Sequence, residues 1–285
     1  MSALASTLKQ IRARKIARPK RKRPLKPLKP RFPHTAERDY MRFLKKYVAR
    51  AKDLTEQFVV PLIPTLIREA RHALPASART DDAIDDLSEA LSRVKALLNR
   101  EYADADLYNI ALAMGLSVET IIRANAQAQA EQVFGDTAGR VTLPPSCTDL
   151  LKLKAKENVQ LIKTLPERHF GALQTSVLSA ITQGTRVEDI EDLIDDRFDS
   201  MGANAELIAR DQVGKLNGQL TEMSQTDLGV SKYVWRTAGD DRVRSAHAAH
   251  EGQIFSWDDP PPGTGHPGED FQCRCYAEPV LDDLI

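Results

Sequence analysis

From Ala36 onward the apolar residues recur with helical spacing. Tyr40, Phe43, Leu44, Tyr47, Val48, Ala51, Leu54 and Phe58 fall at i, i+3, i+4 and i+7, which predicts a helix with one buried face. Pro61 and Pro64 kink or end it. Ile84, Leu87, Leu91, Val94 and Leu98 alternate steps of three and four and predict a second helix. Asp81, Asp82, Asp85 and Asp86 suit its start, where negative charge meets the positive end of the helix dipole. Helical runs continue at 105–113 and 118–134. Gly135–Pro145 (GDTAGRVTLPP) breaks the pattern and marks the best internal boundary. Helices resume at 147–164 and 167–183. Gly184 ends one, and Thr185-Arg-Val-Glu188 has the form of a capping box opening the next. A last helix covers 203–226 and stops before Gly229.

Beyond Gly229 the texture changes. Residues 230–236 (VSKYVWR) alternate as a strand does, residues 239–241 form a Gly-Asp-Asp turn, and the rest is rich in Pro, Gly, His and Cys. The expected fold is mainly α with a small α+β C-terminal module at 230–285, fronted by a disordered basic arm. The expected division is an arm at 1–35, a helical domain at 36–146 and a second domain at 147–285. The sequence contains no internal repeat and no glycine-rich phosphate loop.

Charge sharpens this division. The chain is formally neutral, yet residues 1–35 hold twelve Lys and Arg, from Lys9 to Arg31, and no acid. Residues 36–285 hold 28 basic and 40 acidic residues. Pro19, Pro24, Pro27, Pro30 and Pro33 interleave with the cations and forbid a continuous helix. Such an arm suits a polyanion. Double-stranded DNA bound through residues 9–31 is the first candidate, and an acidic protein surface satisfies the same charges. No aromatic residue precedes Phe32, so base stacking is not expected. The N-terminus lacks the apolar stretch of a secretion signal, and no apolar run approaches the roughly 18 residues that span a bilayer. A soluble protein without a membrane partner is expected. Three cysteines, two of them separated by one residue, do not read as a secreted disulfide framework and point to a reducing cytosol.

The candidate chemistry lies in the closing segment. His247, His250, His266, Cys273 and Cys275 place three imidazoles and two thiols within 29 residues that have little apolar material. A tetrahedral zinc ion supplies folding energy to such segments through Cys and His ligands. His247, His266, Cys273 and Cys275 are the candidate ligands of a structural zinc. The alternative is a set of buried thiols and imidazoles making ordinary hydrogen bonds. A metal-dependent phosphodiesterase would use the same cluster with Asp240 and Asp241, and Arg242 or Arg244 would hold a phosphate. Against an enzyme, the zinc-protease motif His-Glu-x-x-His is absent, and a site closed by four protein ligands leaves no position for a reactive water.

The order of residues in this segment resembles a known family. Trp235, Thr237, Asp240 or Asp241, Arg242, Arg244, His247, Gly252, Phe255, Pro267, Gly268 and Cys273-Arg274-Cys275 follow the pattern of the phage Mu F-like head morphogenesis proteins. Asn158, Leu161 and Ile162, then Gly184, then Ala209-Arg210-Asp211 in LIARDQVGKLNG extend the likeness over about 150–281. His250 stands where that family more often has an apolar residue, and His266 lies close to a recurrent histidine. The resemblance implies a low-copy virion protein of a tailed bacteriophage, without enzymatic activity. It would sit in the head interior or at the portal vertex and assemble in the host cytoplasm. The implied partners are the portal protein, major capsid or scaffold proteins, and packaged DNA.

Overall fold

Helical spacing takes the form of unbroken helices that run through several expected breaks. The computed structural model describes residues 27–72, 77–135 and 138–281. Helix α1 is His34–Phe58 and buries Tyr40, Leu44, Tyr47, Val48, Ala51 and Leu54, the face set out by the sequence. Pro61 lies in a 3-10 turn, Val60–Leu62, and Pro64 in the first turn of α2, Ile63–His72, where a missing N–H costs little. Helix α3, Ser77–Glu101, begins one turn before the acidic stretch, which therefore occupies its second and third turns.

Three longer helices follow. Helix α4 is Asp104–Phe134, α5 is Pro145–Thr182, and α6 is Val187–Asp227. The breaks expected near Gly115, Pro166 and between 188 and 203 are absent. Packing outweighs local propensity at these points. Gly115 stays helical because Leu151 presses on it: a methyl there would come within 2.9 Å of Leu151 Cδ2. Pro166 removes one backbone hydrogen bond, but Ile162, Leu165, Phe170 and Leu173 are buried on both sides of it and carry the helix through. The stops at Gly184 and Gly229 are as expected. Gly184 has φ +75° with Thr185 N–H donating to Ala180 O (3.0 Å), and Gly229 has φ +84° with Val230 N–H donating to Gln225 O (2.9 Å).

By length and composition alone α4 is apolar enough to cross a membrane. Polar residues interrupt its sequence, so it contains no unbroken apolar run of that length. Its buried residues, among them Leu107, Ala111, Met114, Val118, Ile122, Ala126 and Ala130, recur at three and four, as on the packed side of a core helix.

The described residues form two compact units that cross the expected boundary at 146–147. One takes the stretches up to Glu37, Leu112–Ala155 and Arg210 onward, and the other is Arg38–Ala111 with Lys156–Ala209. The three long helices contribute to both, so a break in the sequence pattern is not a break between units. In the second unit Tyr40 donates to Asn158 Oδ1 (2.8 Å), which satisfies a buried polar pair, and Arg50 grips Glu101 with two bonds (2.7 and 2.6 Å).

The first unit carries the closing module. Strand β1, Lys232–Arg236, is the centre of an antiparallel sheet of order β2-β1-β3, with β2 at Ile254–Ser256 and β3 at Tyr276–Pro279. Tyr233 pairs with Phe255 on one side and Pro279 on the other. A short helix α7, Ser245–Ala249, sits between β1 and β2. The sheet buries Tyr233, Trp235, Trp257, Cys273, Cys275 and Ala277 in a small core of its own. The arm expected over 1–35 lies largely outside the described residues. Its last part, 27–33, has no regular secondary structure, and Asn125 clasps it: Arg31 N–H donates to Asn125 Oδ1 (3.0 Å) and Asn125 Nδ2 donates to Arg31 O (2.9 Å).

The loop at Pro267–Gly268 lies directly on the backbone of α6. A methyl on Gly218 would stand 2.6 Å from Pro267 O. Gly218→Ala is therefore expected to cost about 1–3 kcal/mol, because backbone must move to admit it. Gly171 faces open space inside α5, and Gly171→Ala is expected to gain about 0.5–1 kcal/mol from helix propensity. Urea denaturation of both variants checks the pair; equal effects would refute the close approach.

Candidate metal centre

Strand β1 ends at Arg236, the chain turns through Gly239 and Asp240, and α7 returns His247 over the face of Trp235. From the other side, the loop on α6 feeds Cys273 and Cys275 into the start of β3. Gln272, just before Cys273, holds a left-handed conformation (φ +56°), fixed by its N–H donating to Asp211 Oδ1 (2.9 Å). The outcome is three donors at one point. His247 Nδ1 is 3.5 Å from Cys273 Sγ and 3.5 Å from Cys275 Sγ, and all three residues are buried. These donor atoms can hold a metal ion.

The other ring nitrogen decides which lone pair is offered. His247 Nε2 is 3.1 Å from Asp270 Oδ2. A carboxylate only accepts, so in the neutral ring Nε2 carries the hydrogen and Nδ1 presents its lone pair to the thiols. Asp270 is itself held by Arg244 Nη1 (2.8 Å), while Arg244 Nη2 donates to Phe271 O (2.6 Å). The two thiols are shifted in opposite directions. Cys273 is held below the usual thiol range, first by the Cys275 thiol donating to it and also by Gly268 N–H (3.4 Å), against the opposing effect of burial. Cys275 is pushed upward by that same pairing and by burial.

The remaining histidines serve elsewhere among the described residues. His266 Nδ1 pairs with the Tyr233 hydroxyl (2.9 Å), its ring lies 4.9 Å from that of Trp257, and its N–H donates to Glu269 Oε2 (2.5 Å). His250 packs edge-on to Trp235 and Phe255 and meets the Thr264 hydroxyl at 3.2 Å. The structure thus gathers His247, Cys273 and Cys275, and sets His266 apart from them. Asp240 and Asp241 are not among the clustered donors. Asp240 instead takes both Arg274 nitrogens (2.6 and 2.5 Å).

The other polar residues of the motif are clasps. Arg236 bridges Glu251 (3.2 Å) and Glu278 (2.9 Å), and Glu251 accepts from Thr237 N–H (2.6 Å) and Oγ1 (2.8 Å). Gly252, at φ +77°, donates its N–H to Trp235 O (2.9 Å). Trp235, Thr237, Asp240, Arg244, His247, Gly252, Cys273, Arg274 and Cys275, all picked out by order in the sequence, therefore meet in one folded knot.

Residues 172–278 match the family described as Phage Mu protein F like protein. The resemblance seen in the sequence is borne out over that segment, which holds the end of α5, all of α6 and the module as far as Glu278. A protein from Haemophilus influenzae (strain ATCC 51907 / DSM 11121 / KW20 / Rd), named only "Uncharacterized protein", is 36% identical over 170 residues. That alignment covers 57% of this chain and 38% of the relative, so the chain spans well under half of the relative's length. No solved structure matches. Within the Mu F-like segment the structure resolves a choice left open by the motif, since Asp240 rather than Asp241 engages Arg274. It also adds one residue that the motif did not mark and gives a role to another. Asp270, unmarked in the sequence, orients His247, and Asp211, already part of the Ala209-Arg210-Asp211 likeness, sets the turn into Cys273.

His247, Cys273 and Cys275 also line a cavity of about 620 Å³ in the first unit. Next to it, the Arg274 guanidinium holds the Asp240 carboxyl down from 3.8 to about 2, the carboxylate staying charged until strongly acid solution. A carboxyl depressed on folding stabilises fully above its unfolded value and loses that contribution as the pH falls through its folded value. The melting-temperature gap between the native chain and Asp240→Asn is therefore expected to be constant above about pH 4 and to close as the pH falls toward 2. A gap that persists unchanged at the acid end would refute the pairing.

Proposed function

We propose that this chain is a minor head protein of a tailed phage, acting in head morphogenesis at or near the portal vertex. The observation that carries this reading is the Mu F-like match over 172–278 together with the folded use of its motif residues. A knot built of clasps and buried thiols, with Asp240 and Asp270 committed to arginines, suits a scaffold whose task is to hold a surface in shape. The partners on this reading are the portal protein and major capsid or scaffold proteins. Low-copy incorporation into heads is the expected outcome of mass spectrometry on purified virions and assembly intermediates. Absence of the chain from both would overturn the proposal.

Within this role a zinc ion ties α7 to β3. Zinc–sulfur and zinc–nitrogen bonds of about 2.3 and 2.1 Å in a tetrahedron put S and N about 3.6 Å apart, and both N–S distances here are 3.5 Å. A hydrogen-bonded set, with the Cys275 thiol donating to Cys273, would hold the same atoms, and the match of both N–S distances to the tetrahedron is what favours the metal. The metal would supply what the module lacks in apolar area.

The basic arm binds duplex DNA without sequence preference on this reading. Ten of the twelve cations precede Pro27, ahead of the stretch held by Asn125. A chain beginning at Pro27 thus removes the arm's charge and leaves the clasp intact. Its DNA affinity is expected to fall, and the salt slope to become shallower by about 0.9 for each phosphate that the arm no longer neutralises. Equal affinity and equal slope in the two chains would assign the arm another partner.

A further inference from the structure

The cavity beside the thiols is cationic. Lys29, Arg31, Arg210, Arg242, Arg244 and Arg274 line it, against one carboxylate, Glu37. Three of these are already committed: Arg274 to Asp240, Arg244 to Asp270, and Arg210 at 3.6 Å from Glu37. The others are not. Arg242 is largely exposed and reaches only to 3.6 Å from Asp240, whose two oxygens Arg274 already occupies. Among the described residues no carboxylate lies within ion-pair distance of Lys29, whose ammonium stands 5.8 Å over the Tyr276 ring, or of Arg31. A cavity of this size with uncommitted cations in its lining selects a small anionic group.

The metal donors line that same space. A tetrahedral ion held by His247, Cys273 and Cys275 has one position left, and His266, engaged with Tyr233, is not gathered to fill it. Three protein ligands and one exchangeable position are the arrangement of an open site. Two thiolates neutralise a divalent ion, so a further anion at the fourth position needs outside cations to hold it. Arg242, Lys29 and Arg31 are placed on the wall to do so.

We propose that the metal takes its fourth ligand from the cavity, and that this ligand is a phosphate group steadied by Arg242. The inference rests on the metal reading above and adds to it an exchangeable ligand and its chemical class. The phosphate comes from a free phosphate compound or from a nucleic-acid backbone, and the arms of the test separate the two.

The test uses the full chain loaded with cobalt(II), whose visible absorption reports its ligand set. Inorganic phosphate, a short DNA duplex, and chloride at matched ionic strength are titrated in turn. A saturable spectral change with phosphate, absent with chloride, is expected. Arg242→Ala should weaken that change about tenfold, the effect of removing one charge-assisted hydrogen bond, at unchanged cobalt stoichiometry. His266→Ala should leave the starting spectrum as it was. A change with phosphate alone assigns a free phosphate compound, and a change with the duplex assigns the backbone. The proposal is overturned by a spectrum that neither phosphate nor duplex moves, by one that chloride moves equally, or by a starting spectrum altered in His266→Ala, which would make the fourth ligand the protein's own. Failure to bind cobalt at all defeats the metal reading itself and is seen before any titration.

Discussion

The contact of Pro267 and Gly268 with α6 is the constraint on which the module depends. Two glycines one helical turn apart, Gly214 and Gly218, leave the helix backbone bare, and Gly268, at φ +95°, lies against it. Only this approach lets the chain turn within a few residues and present Cys273 to His247. Asp211, one turn earlier on α6, fixes the same turn through Gln272. The donor geometry is thus set by a helix that holds no metal donor itself.

The rest of the knot compensates for a small core with polar clasps. Arg236, Arg244 and Arg274 each bind a carboxylate, and each ties segments far apart in sequence. All three arginines are partly exposed, so each clasp taken singly contributes little against solvent screening. Their value is geometric. Arg244 positions Asp270, Asp270 selects the tautomer of His247, and the tautomer determines which atom faces the thiols. Removal of one link is felt at the donor atoms two residues away rather than as a large drop in stability.

The helical faces were legible because burial has the period of the helix: Tyr40, Leu44, Tyr47, Val48, Ala51 and Leu54 in α1 and Leu87, Leu91, Val94 and Leu98 in α3 are buried as expected, with Phe43 partly so. Helix ends were legible where a proline follows, as at Pro61, or where a glycine adopts positive φ, as at Gly184 and Gly229. Gly115 and Pro166 carry the same local signal but lie under packed neighbours, and tertiary contact decided against them. In the site, His247, Cys273 and Cys275 were readable by residue type and by order. Asp270 was not, because a carboxylate that orients a ligand has no spacing rule and is found only when the chain is folded; Asp211 was named by its place in the motif, but its hold on Gln272 was not readable there. His266 shows the converse. Its residue type suits a metal, and its surroundings engage it with Tyr233 and Trp257.

The clasp of Asn125 on Arg31 fixes the point from which the preceding residues depart. Lys29, two residues before it, already lines the cavity, so the cationic N-terminal stretch is anchored at the cavity's edge. On the proposed reading, a polyanion held by the ten cations before Pro27 is kept near the cavity, so that its concentration there exceeds that in bulk. Weak affinity at the cavity and weak affinity along the arm would then multiply on one long polyanion and would not on a small one, which makes the length of the ligand, as much as its chemistry, a determinant of what such a chain retains.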